Sequence, residues 1–200
     1  MTTNRRSVLA GAALACLPAS LTRAADATLN IVVELPSERD KTGVLSLKNS
    51  SGKTLAGPFP AYGRSDNKAA SRHGNTGRDP THLFGDTPTG TYAVPRAVAT
   101  GSGTAYIPHS YGPNGALVLK PVSGQALAAA ANGRTGLLIH SGDPGQQGRL
   151  RATNGCVRLS NADMAALMSA IAKAGENPTF NRCDRCRALG RPMWLNGRAA

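Results

Sequence analysis

The sequence predicts a mainly β domain of mixed strands with two short α-helices. Three observations carry that expectation: short apolar runs of strand length, glycine- and proline-rich turns between them, and only two segments with helical spacing. Leu29-Asn30-Ile31-Val32-Val33-Glu34-Leu35 reads as a strand, bounded by Pro36. Val44, Leu45 and Leu47 mark a second strand, which turns at Asn49-Ser50-Ser51-Gly52 into Lys53-Thr54-Leu55. From Gly57 to Asp86 glycine, proline, charge and small polar residues run without a period, so a long loop is expected there. Thr91-Tyr92-Ala93-Val94, entered through Pro88-Thr89-Gly90, is a short strand, and Ala116–Leu119 and Gly136–His140 are apolar runs suited to buried strands.

The two helices have recognisable ends. Ser123 precedes an alanine-rich segment, Gly124 to Ala131, which Asn132-Gly133 closes. Ser160 is placed to cap a second helix, with Asp163 three residues on in the manner of a capping box. Met164, Leu167, Met168 and Ile171 follow at helical spacing and Gly175 ends the run, so the methionines read as core. Met193-Trp194-Leu195 is expected to form a closing strand.

The first 27 residues read as a targeting segment, not as fold. Asn4-Arg5-Arg6-Ser7 precedes an apolar, alanine-rich stretch from Val8 to Leu21 and then small residues, the order of an export signal. The adjacent Arg5-Arg6 pair suggests the twin-arginine type. The apolar stretch falls short of the roughly 20 residues of a membrane span. Ala25-Asp26-Ala27 offers a cleavage site, leaving a single domain over residues 28–200 in the periplasm or cell envelope. Ala13-Leu14-Ala15-Cys16 has its leucine one position away from a lipidation motif.

Cleavage would remove Arg5, Arg6, Arg23 and Asp26, taking the formal charge from +12 to +10. A charge of that sign favours acidic polymers. No nucleic-acid motif is present, and four tyrosines, three phenylalanines and one tryptophan give little stacking surface, so a carboxylate-rich cell wall is the expected partner. Stable membrane insertion is not expected, and the chain is expected to act as a monomer.

Three cysteines would remain, Cys156, Cys183 and Cys186. In an oxidising compartment Cys183-Asp184-Arg185-Cys186, in a C-terminal extension, is suited to a short disulfide, leaving Cys156 free. Two cysteines without a nearby histidine are too few for zinc, and no strand-to-helix context supports a redox Cys-x-x-Cys; no metal and no cofactor are expected. Cys156 lies in Thr153-Asn154-Gly155-Cys156-Val157-Arg158, downstream of Ile139-His140-Ser141-Gly142. A thiol is mostly protonated at neutral pH, and His140 is a candidate to take its proton. Backbone N–H groups around Gly155 and Cys156 are candidates for oxyanion binding, and Arg158 for steadying the thiolate or gripping a substrate carboxylate. On the residues alone, a buried structural cysteine and a core histidine remain open readings.

The segment Gly136 to Arg158 resembles the active-site region of the L,D-transpeptidase catalytic (YkuD-type) family. Ile139-His140-Ser141-Gly142 matches its histidine turn, Thr153-Asn154-Gly155-Cys156-Val157-Arg158 its cysteine motif, and Gly85-Asp86-Thr87-Pro88-Thr89-Gly90 its entry into a strand. The resemblance runs over about Thr81 to Ile171. It implies a β-sandwich or barrel, and a cysteine acyltransferase acting on peptidoglycan stem peptides. Cys156 would be the nucleophile and His140 its base, oriented by the backbone carbonyl of Ser141. Thr153, Asn154, Gly155 and Arg158 would surround the substrate. Loss of a terminal D-alanine and attack by another stem would give a 3→3 cross-link; attack by water would make the protein an L,D-carboxypeptidase or amide hydrolase. A wall-binding domain that keeps the fold without catalysis is the alternative from a different class. Asn154 stands where many members carry a second histidine, and Ser141 where glycine often follows the first. His73 and His82 in the long loop are expected to be solvated.

Overall fold

A computed structural model describes residues 29–145, 148–174 and the backbone of 182–189. Two sheets organise it. In chain order the elements are β1 (Asn30–Pro36), β2 (Gly43–Lys48), β3 (Thr54–Ala61), α1 (Asn67–Arg72), β4 (Gly90–Ala93), β5 (Ala97–Val98) and α2 (Pro108–Tyr111). They continue with β6 (Ala116–Val118), β7 (Lys120–Ser123), α3 (Gln125–Ala131), β8 (Leu138–His140), β9 (Val157–Arg158), α4 (Asn161–Ala174) and β10 (Arg182–Leu189). The six-stranded sheet runs β3-β2-β1-β10-β4-β7 and the four-stranded sheet β5-β6-β8-β9. Each sheet has two ends, so neither closes into a barrel. The mainly β expectation holds; the helices number four among the described residues, because α1 and α2 are too short to show a period.

Alternation builds the core. Ile31, Val33 and Leu35 of β1 and Leu45 and Leu47 of β2 point to one side and are buried. They meet Tyr92 of β4, Leu117 of β6, Ile139 of β8 and Val157 of β9, so both sheets share one apolar cluster. Helix α4 lies against β3 and β2 and adds Met164, Leu167 and Ile171 to that cluster. Ser160 caps it as expected: its hydroxyl accepts the Asp163 N–H at 3.0 Å and donates to the Asp163 carboxylate at 2.7 Å. Burying one such aliphatic side chain contributes about 1.5–3 kcal/mol, which is why the stripe along α4 fixes its orientation.

The expected loop from Gly57 to Asp86 is a structured segment. Its first residues complete β3, where Pro58 and Pro60 are tolerated because β3 is the edge of its sheet. Asp66 caps α1 by accepting the Ala69 N–H at 2.8 Å. Beyond α1 the buried Asn75 side chain donates to the carbonyls of Asp79 (3.0 Å) and Leu83 (3.1 Å) and accepts the Asp79 N–H (2.7 Å). Polar self-bonding of this kind has no sequence period.

A strand at Arg182–Leu189 was not expected. Its backbone pairs in parallel with β1 and antiparallel with β4, with Cys183 opposite Ile31 and Tyr92 and Cys186 opposite Val33 and Gly90. The side-chain pairing of Cys183 with Cys186, the export signal with Cys16, and the Met193–Leu195 strand lie outside the described residues. Among the described residues no helix is long and apolar enough to cross a membrane.

Candidate active site

The cleft follows from the pleat of the smaller sheet. Strands β8 and β9 pair in parallel, with Ile139 opposite Val157 and His140 opposite Arg158. Ile139 and Val157 enter the main core. Alternation therefore sends Leu138, His140 and Arg158 to the other face, together with Cys156 one step before β9. There Ala116, Leu138 and Cys156 form a small second cluster under Tyr106 and Tyr111. A cleft of about 470 Å³ opens on this face, lined by Cys156, His140, Arg158, Thr153, Asn154 and Arg151, with Ser110, Tyr111, Asp66, Ala69 and Ala152 completing it. Ser141 and Gly155 sit behind it and act through the backbone.

His140 is 2 % exposed. Its Nδ1 lies 2.6 Å from the Ser141 carbonyl, which only accepts, so Nδ1 carries the proton and Nε2 is left as the base. The Tyr111 ring packs against it with centroids 4.9 Å apart. Burial, and then the nearby Arg158 charge, push its pKa down to about 4 despite the Ser141 bond. The imidazole is neutral through the physiological range.

Cys156 is a free, buried thiol. Burial pushes its pKa up, and this outweighs a backbone hydrogen bond from Leu138 and the charges of Arg134 and Arg158. The resting pair is thus thiol and neutral imidazole. The Arg158 charge acts in the direction expected of it, lowering the thiol pKa, but burial raises it more.

The turn carrying Cys156 is braced from three sides. Thr153 Oγ1 accepts the Gly155 N–H at 2.9 Å and donates to the Cys156 carbonyl at 3.0 Å. The Gly155 N–H is therefore engaged, and the Cys156 N–H is the one without a backbone acceptor among the described residues. Thr87 Oγ1, wholly buried, reaches the carbonyls of Gly155 (2.9 Å) and Gly63 (3.1 Å). Ser65 bridges to Thr153 and Asn154, while its N–H donates to the Asp86 carboxylate at 2.7 Å.

The third brace, Arg134, was missed by sequence reasoning. It is 2 % exposed and donates to the carbonyls of Asp86 (2.8 Å), Gly85 (2.5 Å), Asn154 (3.4 Å) and Pro80. Gly155 has φ +98°, and a Cβ there would lie 1.7 Å from Arg134 Nη2 and 2.3 Å from the Gly85 carbonyl oxygen. The glycine of the motif is thus required by backbone conformation and by the guanidinium behind it. An arginine in a turn between helix and strand carries no pattern that announces burial.

Arg158 is 4 % exposed and its Nη2 donates to the Ser110 carbonyl at 2.7 Å. Its Nε and Nη1 are buried without a hydrogen-bond partner among the described residues. An unsatisfied guanidinium edge in a cleft wall is suited to a carboxylate. His73 and His82 are exposed, one stacked on Phe84 and the other beside Asp79, and neither lines the cleft. No group of three His, Cys, Asp or Glu side chains is arranged for a metal among the described residues.

Comparison with curated proteins and with solved structures gives no match. A family model, the YkuD L,D-transpeptidase catalytic domain, matches residues 40–178, a wider span than the motifs alone indicated. The match covers well over half of the chain and contains every residue that lines the cleft, and with it this chain belongs to the L,D-transpeptidase catalytic-domain family.

Proposed function

We propose that this protein is an exported cysteine L,D-transpeptidase of the periplasm, acting on peptidoglycan stem peptides. The observation that carries the reading is His140 held in one tautomer by the Ser141 carbonyl, beside a free Cys156 in the same cleft. A stem tetrapeptide enters with its terminal carboxylate directed to Arg158, whose Nε and Nη1 are buried without a hydrogen-bond partner among the described residues. Nε2 of His140 takes the thiol proton as Sγ attacks the carbonyl of the third residue, so no free thiolate is needed beforehand. The oxyanion is met by the Cys156 N–H. The imidazolium returns its proton to the leaving D-alanine amine, and a thioester remains. An amine from a second stem then attacks it, giving a 3→3 cross-link and restoring the thiol.

A second reading is favoured by one observation. Asn154, exposed at the cleft where many members carry a histidine, cannot accept a proton from an incoming amine. Water as acceptor would make the protein an L,D-carboxypeptidase. Intact-mass spectrometry of the protein with a disaccharide tetrapeptide tests both. The expected result is a thioacyl adduct on Cys156, free D-alanine, and no adduct in Cys156→Ala. Cross-linked or trimmed product tells the readings apart, and absence of adduct and of D-alanine overturns the proposal.

A further inference from the structure

The backbone of the turn after His140 is held mostly by other backbone. The His140 carbonyl accepts the Leu159 N–H at 2.9 Å, the Ser141 N–H donates to the Tyr111 carbonyl at 3.2 Å, and the Asp143 N–H donates to the His109 carbonyl at 3.0 Å. Between them the Gly142 N–H donates to Oδ1 of Asn161 at 3.0 Å. Besides His140 itself, Asn161 is the one side chain that holds this backbone among the described residues. It is the first residue of α4, and its own carbonyl accepts Nδ2 of Asn114 at 2.8 Å, from the segment that follows α2. Ser160 caps α4, so the Asn161 side chain is not needed for that.

The Gly142 N–H and the Ser141 carbonyl belong to one planar peptide unit. That carbonyl is the acceptor 2.6 Å from Nδ1 of His140. Asn161 therefore grips the far end of the group that sets the tautomer of the histidine. Gly142, with φ +135°, offers no Cβ to stop this peptide plane from turning over. Turned over, the plane would aim its N–H instead of its carbonyl towards His140. Nδ1 would then have to accept, and the proton would sit on Nε2, the atom that must be bare to take the Cys156 proton. The Asn161 bond is also dry. Ser141, Gly142 and Gly112 are buried, and the place a Cβ of Gly112 would take is 2.8 Å from Asn161 Oδ1. Hydrogen bonds in series across a peptide reinforce one another in such surroundings. The Ser141 bond also opposes burial and the Arg158 charge in setting the basicity of His140, so releasing it would lower the pKa further.

We propose that Asn161 is a positioning residue: by holding the Gly142 N–H it orients the Ser141 carbonyl, keeps the His140 proton on Nδ1 and leaves Nε2 as the base for Cys156. This rests on the acyl-transfer reading above and deepens it. The tautomer of the histidine is assigned to α4, a helix with no residue in the cleft wall.

The test reads the tautomer directly, in nitrogen-15 spectra of the folded full chain at neutral pH. In wild type Nδ1 is expected at the shift of a protonated ring nitrogen and Nε2 at that of a bare one, with a Gly142 amide that exchanges slowly with solvent. In Asn161→Leu, of similar size but without an acceptor, the two ring shifts should move towards each other as tautomers mix, and Gly142 exchange should quicken. Acylation of Cys156 by a disaccharide tetrapeptide should fall about fivefold in kcat/KM, the worth of one hydrogen bond. Asn161→Ala, a good helix former, should do the same if leucine is not accommodated. Asn161→Asp keeps an acceptor in place and should restore the wild-type shifts. A merely structural role would lower the thermal midpoint of Asn161→Leu without moving the ring shifts. That result, or rapid Gly142 exchange in wild type, overturns the inference. The shift and exchange readouts need no peptide, so they decide the role of Asn161 even where no tetrapeptide acylates Cys156, an outcome that would remove the transpeptidase reading alone.

Discussion

Arg134→Met removes a buried cation while keeping most of its volume. The guanidinium serves the carbonyls of Pro80, Gly85, Asp86 and Asn154, joining the loop before β4 to the turn of Cys156. Each buried acceptor left without a donor costs about 1–3 kcal/mol, and partial relaxation of the loop makes about 3 kcal/mol the expected total. The measurement is the urea midpoint of wild type and variant, at constant slope. A second readout separates positioning from bulk stability. The Arg134 charge lowers the Cys156 pKa, so its removal should move the pH profile of thiol alkylation upward at temperatures where the variant is fully folded. Arg134→Lys, which keeps the charge but not the fork, should recover the profile more than the stability. If Arg134→Met left both midpoint and profile unchanged, the claim that this residue braces the cysteine turn would be wrong.

Three further outcomes follow from the same geometry. His140 has a folded pKa of about 4 against 6.5 unfolded, so the unfolded chain binds the extra proton between these values; stability is full above about pH 6.5 and falls by about 3 kcal/mol as pH drops to 4. In His140→Gln that slope in urea midpoint against pH should become shallower, leaving what Asp40, Asp79 and Asp86 contribute. Gly155→Ala should abolish acylation and lower the thermal midpoint, because the new Cβ meets both Arg134 and the Gly85 carbonyl at a φ of +98°. Thr87→Val loses the donor to the Gly155 and Gly63 carbonyls and should cost about 1–2 kcal/mol in unfolding, with slower thiol acylation measured on the folded variant.

What could be read from the sequence was what repeats locally. Strand β1 alternates, α4 places Met164, Leu167 and Ile171 on one face, and β8 is an apolar run ending in His140; each period follows from burial on one side. The pieces that escaped are those whose reason is elsewhere in the chain. The prolines of β3 look like breakers until the strand is seen at a sheet edge. Strand β9 has two residues and no period of its own, and exists because β8 offers its backbone. Strand β10, rich in charge, lies between β1 and β4, which pair with its backbone from either side.

The same distinction applies to the candidate site, and it changes the chemistry inferred. A cysteine, a histidine and an arginine in motif order suggest a thiolate steadied by a cation. Residue types alone do not give the dielectric around them. His140 and Arg158 alternate onto a face covered by α2 and Tyr111, and Cys156 enters that face from a turn pinned by Thr87 and Arg134. Burial there penalises every charged form: it holds the imidazole neutral, the thiol protonated and the Arg158 pKa lowered to about 10. Under the proposed function, a neutral pair of this kind would not compete with a substrate carboxylate for Arg158, whereas a resting thiolate would. The low basicity of His140 and the buried, unsatisfied edge of Arg158 thus have one cause, burial on the same face of the four-stranded sheet.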